Sequence, residues 1–124
     1  MYQTEIRGDY LYHTRSKGYG AGVELFGVTD DGETPMSLLN IALASCVTMC
    51  IQLYFKIYEK VDELPLKTES HYDDRVFTLT VHMEEQLNQV QQNQLIAFIK
   101  KKCRVSNLLA PDVAIKIDFK TVLH

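Results

Sequence analysis

Thr34-Pro-Met-Ser-Leu-Leu-Asn-Ile-Ala-Leu-Ala-Ser-Cys46-Val-Thr-Met-Cys50-Ile-Gln-Leu-Tyr-Phe55 is the stretch on which the fold turns. No residue between Glu33 and Lys56 carries a formal charge. Thr34 is a helix N-cap and Pro35 stands at the first helical position, where its missing N–H costs nothing. From there Leu39, Leu43, Val47 and Ile51, joined by Met36, Leu53 and Ile57, wrap well past a single stripe. A helix apolar nearly all round is expected to be buried on most sides. A domain this small hardly covers such a helix alone, so a second copy of the chain is expected to supply part of the cover. The run approaches the roughly 20 apolar residues that span a bilayer. Asn40, Ser45, Thr48 and Gln52 interrupt it, and it is read as a central helix of a soluble fold with no membrane partner.

Outward from this helix the residues read as strands. Toward the amino terminus, Thr4–Gly8, Tyr10–Arg15 and Val23–Val28 are short β-branched and aromatic runs broken by Gly8-Asp9 and the glycines 18–22. Toward the carboxyl terminus the period changes to two. Leu66–Tyr72 and Arg75–Met83 flank a turn at Asp73-Asp74 and form an antiparallel hairpin. In the second of these strands Val76, Thr78, Thr80 and His82 share one face, and Phe77, Leu79, Val81 and Met83 the other. A second helix runs about Gln89–Cys103, with Leu95, Ile96, Phe98 and Ile99 as its apolar side. A short turn over 105–109 breaks at Pro111, and Val113–Val122 alternates as a final strand. The order β-β-β-α-β-β-α-β predicts a single α+β domain over residues 1–124 with mainly antiparallel pairing.

Composition narrows the function. The chain has 124 residues, 46% hydrophobic and 23% charged, and a formal net charge of −3 with its basic residues scattered. That argues against a nucleic-acid partner, whose binding rests on neutralised phosphates. Met1-Tyr-Gln-Thr-Glu shows no basic stretch leading into an apolar run, and three cysteines without a leader fit the reducing cytoplasm. In that compartment thiols serve reactivity, metal binding or packing.

Cys46 lies about three turns into its helix, too deep for the N-terminal dipole to favour its thiolate. A cation is therefore needed to make it a nucleophile. Cys103 has Lys100, Lys101, Lys102 and Arg104 around it in sequence, and the turn that follows can aim backbone N–H groups at its sulfur, both of which are expected to lower its pKa. Cys50, one helical turn after Cys46, is beyond disulfide reach at that spacing and reads as a buried structural thiol. The two offer a pair of metal ligands, with no further motif to complete a site. His71 and His82 are expected to face each other across the hairpin without forming a metal site. Tyr10, Tyr12, Tyr19 and Tyr72 are expected to pack on the sheets.

Two motifs resemble those of the OsmC/Ohr family, the osmotically inducible and organic-hydroperoxide-resistance proteins. The segment Gly32–Met49 is similar to the family signature that sets a proline eleven residues before a helical cysteine. Lys102-Cys-Arg-Val-Ser-Asn-Leu-Leu109 is similar to the second motif, a cysteine followed by two residues, serine and a short apolar helix. The element order agrees as well, and the chain leans toward a divergent branch. The resemblance implies an intertwined homodimer with sites at the subunit boundary. It implies a thiol-dependent reduction of organic hydroperoxides, in which Cys46 is peroxidatic and Cys103 resolves it to a disulfide. An external dithiol supplies the electrons, with no bound cofactor or metal. Catalytic members take their cation from an arginine of the early strands, for which Arg15 is the positional counterpart and Lys17 the second. They hold it with a glutamate just after the helix-starting proline, where this chain has Met36 and Ser37. Two other readings stay open on these residues. One is a non-catalytic dimer that binds an apolar small molecule with Cys46 as lining, and the other is a purely structural or partner-binding dimer.

Overall fold

A computed structural model describes residues 2–121, so the proposed strand end at Val122 and the residue Met1 lie outside the described residues. The chain forms two compact units, one of the residues up to Leu39 and the other from Asn40 onward.

The amino-terminal unit is an antiparallel sheet of β1 (Glu5–Arg7), β2 (His13–Lys17) and β3 (Glu24–Phe26), in that order. Its strands are shorter than the β-prone runs that contain them. Tyr10, Leu11 and Tyr12 leave the ladder because Tyr12 takes a left-handed backbone, with φ of 58°. They remain largely exposed, as does Tyr19, so those tyrosines do not pack on the sheet as their residue type suggested. Tyr10 keeps one ring contact, stacked on His13 at 4.2 Å between centroids. Gly32 has φ of 149°, and a Cβ there would stand 2.8 Å from the Phe26 ring, so the loop before the long helix closes only on glycine.

The long helix α1 (Pro35–Glu59) starts as its sequence requires. The Ser37 N–H donates to Thr34 Oγ1 at 3.1 Å, and the Thr34 N–H donates back to Ser37 Oγ at 2.7 Å. Serine thus plays the reciprocal part that glutamate or glutamine usually plays three residues after the cap. The Ser37 hydroxyl in turn donates to the Glu33 carboxylate at 2.6 Å.

The carboxyl-terminal unit layers helices on a second sheet, in the order β4 (Leu66–Asp73), β5 (Val76–Met83) and β6 (Ala114–Thr121). The β4–β5 hairpin closes through Asp74 and Arg75, both with positive φ (44° and 65°), the backbone that two-residue hairpin loops need. β6 joins β5 in parallel after a crossover that carries α2 (Gln89–Lys102) and the short α3 (Arg104–Leu108). α3 stands where the residue pattern suggested a turn and the family motif a short helix. Phe77, Leu79, Val81 and Met83 are buried on one face of β5, as the alternation predicts. Thr68 and Ser70 of β4 lie opposite Val81 and Leu79 and bind α1 from the same face. Thr48 meets Thr68 at 2.7 Å, while Ser70 and Asn40 exchange side-chain and backbone bonds of 2.5 and 3.1 Å. α2 starts on a full capping box between Asn88 and Gln91, and its Phe98 ring packs against Tyr54 of α1.

α1 is long and apolar enough to cross a membrane by length and composition. Its buried stripe is Leu43, Val47, Cys50, Ile51 and Phe55. Ile41, Met49, Leu53 and Ile57 are exposed, so within one chain the helix is covered along one stripe and not on most sides. His71 and His82 do not face each other either. His71 stands opposite Thr78 and His82 opposite Lys67, with the His82 ring 3.0 Å from the Glu69 carboxylate.

Candidate functional site

The three cysteines converge. α1 sets Cys46 and Cys50 one turn apart on one face, and the α2–α3 junction brings Cys103 to them. All three sulfurs lie within 4.8 Å of one another. Cys46 is partly exposed, while Cys50 and Cys103 are buried.

Cys103 is held by local backbone geometry. α2 ends on it and α3 begins on it, because its φ of −72° and ψ of 109° are extended rather than helical. Its N–H closes the last turn of α2 on the Ile99 carbonyl at 2.8 Å. Its sulfur caps α3 by accepting the Ser106 N–H at 3.4 Å, and its carbonyl accepts the Ser106 hydroxyl at 3.1 Å. The break leaves the first N–H groups of α3 without intrahelical acceptors. Hydrogen bonds from those of Arg104 and Val105 act to lower the pKa of the Cys46 thiol.

This arrangement separates the acidities of the three thiols. Burial works to push the Cys46 thiol up. It is outweighed by a hydrogen bond from the Cys103 thiol, by the Val105 and Arg104 N–H groups and by a bond from Cys50, so the net shift is downward. Cys103 moves upward, first because it is buried and then because its proton serves Cys46; Ser106 opposes both. The expected lowering of Cys103 by Lys100, Lys101, Lys102 and Arg104 is therefore reversed. Those side chains neighbour Cys103 in sequence, but its sulfur is desolvated and acts as a donor. Cys50 is pushed up to about 12 by burial and by the negative charge that Cys46 and Cys103 would carry. Of the three thiols Cys46 is shifted downward, and Cys50 and Cys103 upward.

The family resemblance already set Cys103 against Cys46, and what it left out was Cys50 as the third member of the cluster. A cluster in the amino-terminal unit was missed as well. Buried His13 lies 2.9 Å from the Glu24 carboxylate, and Arg15 reaches the same carboxylate at 3.3 Å. Arg15 and Glu24 are register partners on β2 and β3, which accounts for the pairing. The carboxylate that pairs with Arg15 is therefore that of Glu24 on the neighbouring strand. Lys17 pairs in register with Glu5 of β1.

The sequence profile of OsmC-like protein matches residues 28–118. The chain belongs to the OsmC-like family. The matched span contains all three cysteines, whereas Arg15 and Lys17 precede it. No curated protein matches as a sequence relative. Solved structures share the fold at low identity. The OsmC-like protein from Mycoplasma pneumoniae superposes with a TM-score of 0.76 at 14% identity, over 99% of this chain and 98% of that one. OhrB of Bacillus subtilis, an organic hydroperoxide resistance protein, gives 0.65 at 18% identity, over 97% and 98%. The organic hydroperoxide resistance protein OsmC from Legionella pneumophila gives 0.65 at 17%, over 98% of each chain. The mixed α+β architecture and the element order are those of the OsmC-like fold.

Proposed function

We propose that this protein is a thiol-dependent peroxidase that reduces organic hydroperoxides in the cytoplasm, with Cys46 as the peroxidatic thiol and Cys103 as the resolving one. The observation that carries the reading is the convergence of the three sulfurs within 4.8 Å of one another, with partly exposed Cys46 beside buried Cys103 at the α2–α3 junction. Hydrogen bonds from the neighbouring thiols and from the Val105 and Arg104 N–H groups lower the Cys46 pKa, which addresses the requirement that helix depth alone left open. They also stay in place as charge leaves the sulfur, since the backbone of α3 holds two of them.

In this reading the Cys46 thiolate attacks the distal oxygen of the hydroperoxide. The O–O bond breaks, the sulfur is oxidised to a sulfenic acid, and the alkoxide takes a proton to leave as an alcohol. Cys103 is the adjacent proton donor, and giving up that proton makes it the thiolate that attacks the sulfenic sulfur. The S–O bond then breaks, hydroxide leaves as water after protonation, and a Cys46–Cys103 disulfide remains for an external dithiol to reduce. A groove of about 360 Å³ lined by Val47, Ile99, Val113, Ile115 and Ile117, with Ser106 at its wall, suits an alkyl substituent. The working form in this proposal is a homodimer, whose second copy covers the exposed Ile41, Met49, Leu53 and Ile57 of α1. Arg15, paired with Glu24, and Lys17 after it enter the proposal through the family resemblance alone.

The test is stopped-flow mixing of the reduced protein with cumene hydroperoxide, alongside Cys46→Ser and Cys103→Ser. Fast consumption by the wild type with an intramolecular disulfide is expected, with no reaction in Cys46→Ser and arrest at the sulfenic acid in Cys103→Ser. A wild type no faster than glutathione defeats the proposal and leaves an apolar-ligand binder with Cys46 as lining.

A further inference from the structure

Cys50 has no part in the two-thiol cycle, yet its sulfur is as much a member of the cluster as the other two. Three sulfurs mutually within 4.8 Å always leave a position no more than about 2.8 Å from each, the centre of an equilateral triangle of that edge. Thiolate bonds to a small thiophilic centre run near 2.3 Å, so a centre in the plane of the sulfurs asks each to move about half an ångström, and a pyramidal centre above that plane asks somewhat more. Among the described residues the gathered ligand group is the three cysteines, with no imidazole or carboxylate in it. The donor set is all sulfur, three-coordinate and mostly buried. Zinc in a structural site takes four ligands, which this cluster does not offer.

Charge narrows the choice further. Three thiolates bring three negative charges into a site where Cys50 and Cys103 are shut off from water. A monovalent ion leaves two of them uncompensated and a divalent ion one, and uncompensated buried charge is costly. A trivalent centre leaves none. We propose that Cys46, Cys50 and Cys103 form a three-sulfur site for trivalent arsenic, taken up as arsenite. Three S–H bonds and the three As–OH bonds of arsenous acid are exchanged for three As–S bonds and three waters. Nothing is oxidised or reduced, and each thiol proton leaves on an arsenite hydroxyl. Partly exposed Cys46 makes the first bond and the buried sulfurs complete the set.

Occupation withdraws both thiols of the proposed peroxidase, so arsenite silences the site. The inference uses the same sulfurs as that reading but does not depend on the peroxide reaction. It is tested on the reduced protein with no peroxide present, and so can hold where turnover fails or fail where turnover holds. Arsenite is titrated against the wild type, Cys50→Ala and Cys50→Ser, following the sulfur-to-arsenic ultraviolet absorption and the intact mass. Phenylarsine oxide, which exchanges only two bonds, is titrated in parallel. One arsenic with loss of three waters is expected for the wild type. Both Cys50 variants are expected to bind arsenite roughly a hundredfold more weakly, the order of the effective concentration gained by an intramolecular third bond. Their affinity for phenylarsine oxide should stay within about twofold of the wild type, since that probe needs two sulfurs. X-ray absorption of the wild-type adduct provides a check that needs no variant, and three sulfur neighbours per arsenic are expected. Two sulfurs and an oxygen, equal arsenite affinity with and without Cys50, or no binding by the wild type overturns the proposal.

Discussion

Replacing Arg104 by proline removes a single hydrogen-bond donor from the Cys46 sulfur and leaves the rest of the site in place. Arg104 is the first residue of α3, where proline's fixed φ suits the helix and its N–H is not part of the intrahelical ladder. The preceding Cys103 is already extended, at φ −72° and ψ 109°, the backbone region that a following proline imposes. Arg104→Ala is the control, because it loses the same side chain and keeps the N–H. A hydrogen bond to a charged group contributes roughly 1.5–3 kcal/mol, and partial exposure of Cys46 places this one at about the low end. At a pH below the thiol's transition that corresponds to about a tenfold smaller thiolate fraction, since 1.36 kcal/mol is one decade. A more basic thiolate is also a better nucleophile, with a Brønsted slope of about 0.4–0.5, which returns roughly threefold. The net expectation is a three- to fourfold slower alkylation of Cys46 by iodoacetamide at neutral pH in Arg104→Pro than in Arg104→Ala, with the ultraviolet thiolate transition moved to higher pH. Circular dichroism confirms that both variants fold. If the two variants titrate together and react at the same rate, the α3 backbone does not stabilise the thiolate, and the account of the lowered Cys46 acidity fails.

The separated thiols predict a pH profile. Because the folded protein holds the Cys46 proton less tightly than an ordinary thiol does, its alkylation should persist to lower pH than that of a free thiol and decline only as pH falls through the lowered value, while Cys50, at about 12, stays unmodified throughout the neutral range. Residue-resolved mass spectrometry reads both, and a Cys46 that titrates at or above a free thiol contradicts the expectation. Asn40→Asp removes the amide donor that binds the Ser70 carbonyl and places a charge between α1 and β4; we expect a loss of about 1–3 kcal/mol in urea unfolding, and an unchanged midpoint would remove this contact from the set that holds the helix to the sheet. Leu43→Ala empties a fully buried position under α1 and should cost about 2–5 kcal/mol in the same assay.

Where local rules were sufficient, the sequence was legible. Thr34 and Pro35 begin α1 as their chemistry demands, Asn88 caps α2, and the alternation from Val76 to Met83 sorts β5 into its two faces. Local rules misled at Tyr10–Tyr12, where β-prone residues form a turn because one left-handed residue outweighs a weak propensity. They misled again at Cys103. The neighbouring lysines made a persuasive case for acidity, but the sulfur points inward, and burial and hydrogen-bond direction decide its behaviour. The meeting of Cys103 with Cys46 was legible only through the family motifs, because spacing shows which cysteines share a helix face and not which distant one the tertiary fold delivers to it. The apolar sides of α1 raised the opposite difficulty. Their composition reads as burial, yet one chain covers only the stripe from Leu43 to Phe55.

The parallel pairing of β6 on β5 has a consequence for the order in which the chemistry comes into being. The β4–β5 hairpin and α1 are built from neighbouring stretches of chain, whereas a parallel pair waits for a long crossover to close. That crossover is the segment that carries Cys103. On a growing polypeptide Cys46 and Cys50 therefore exist first as unassisted thiols, with neither the partner sulfur nor the α3 amides in position. In the proposed mechanism, activation of Cys46 therefore waits on the closing of the crossover that β6 completes.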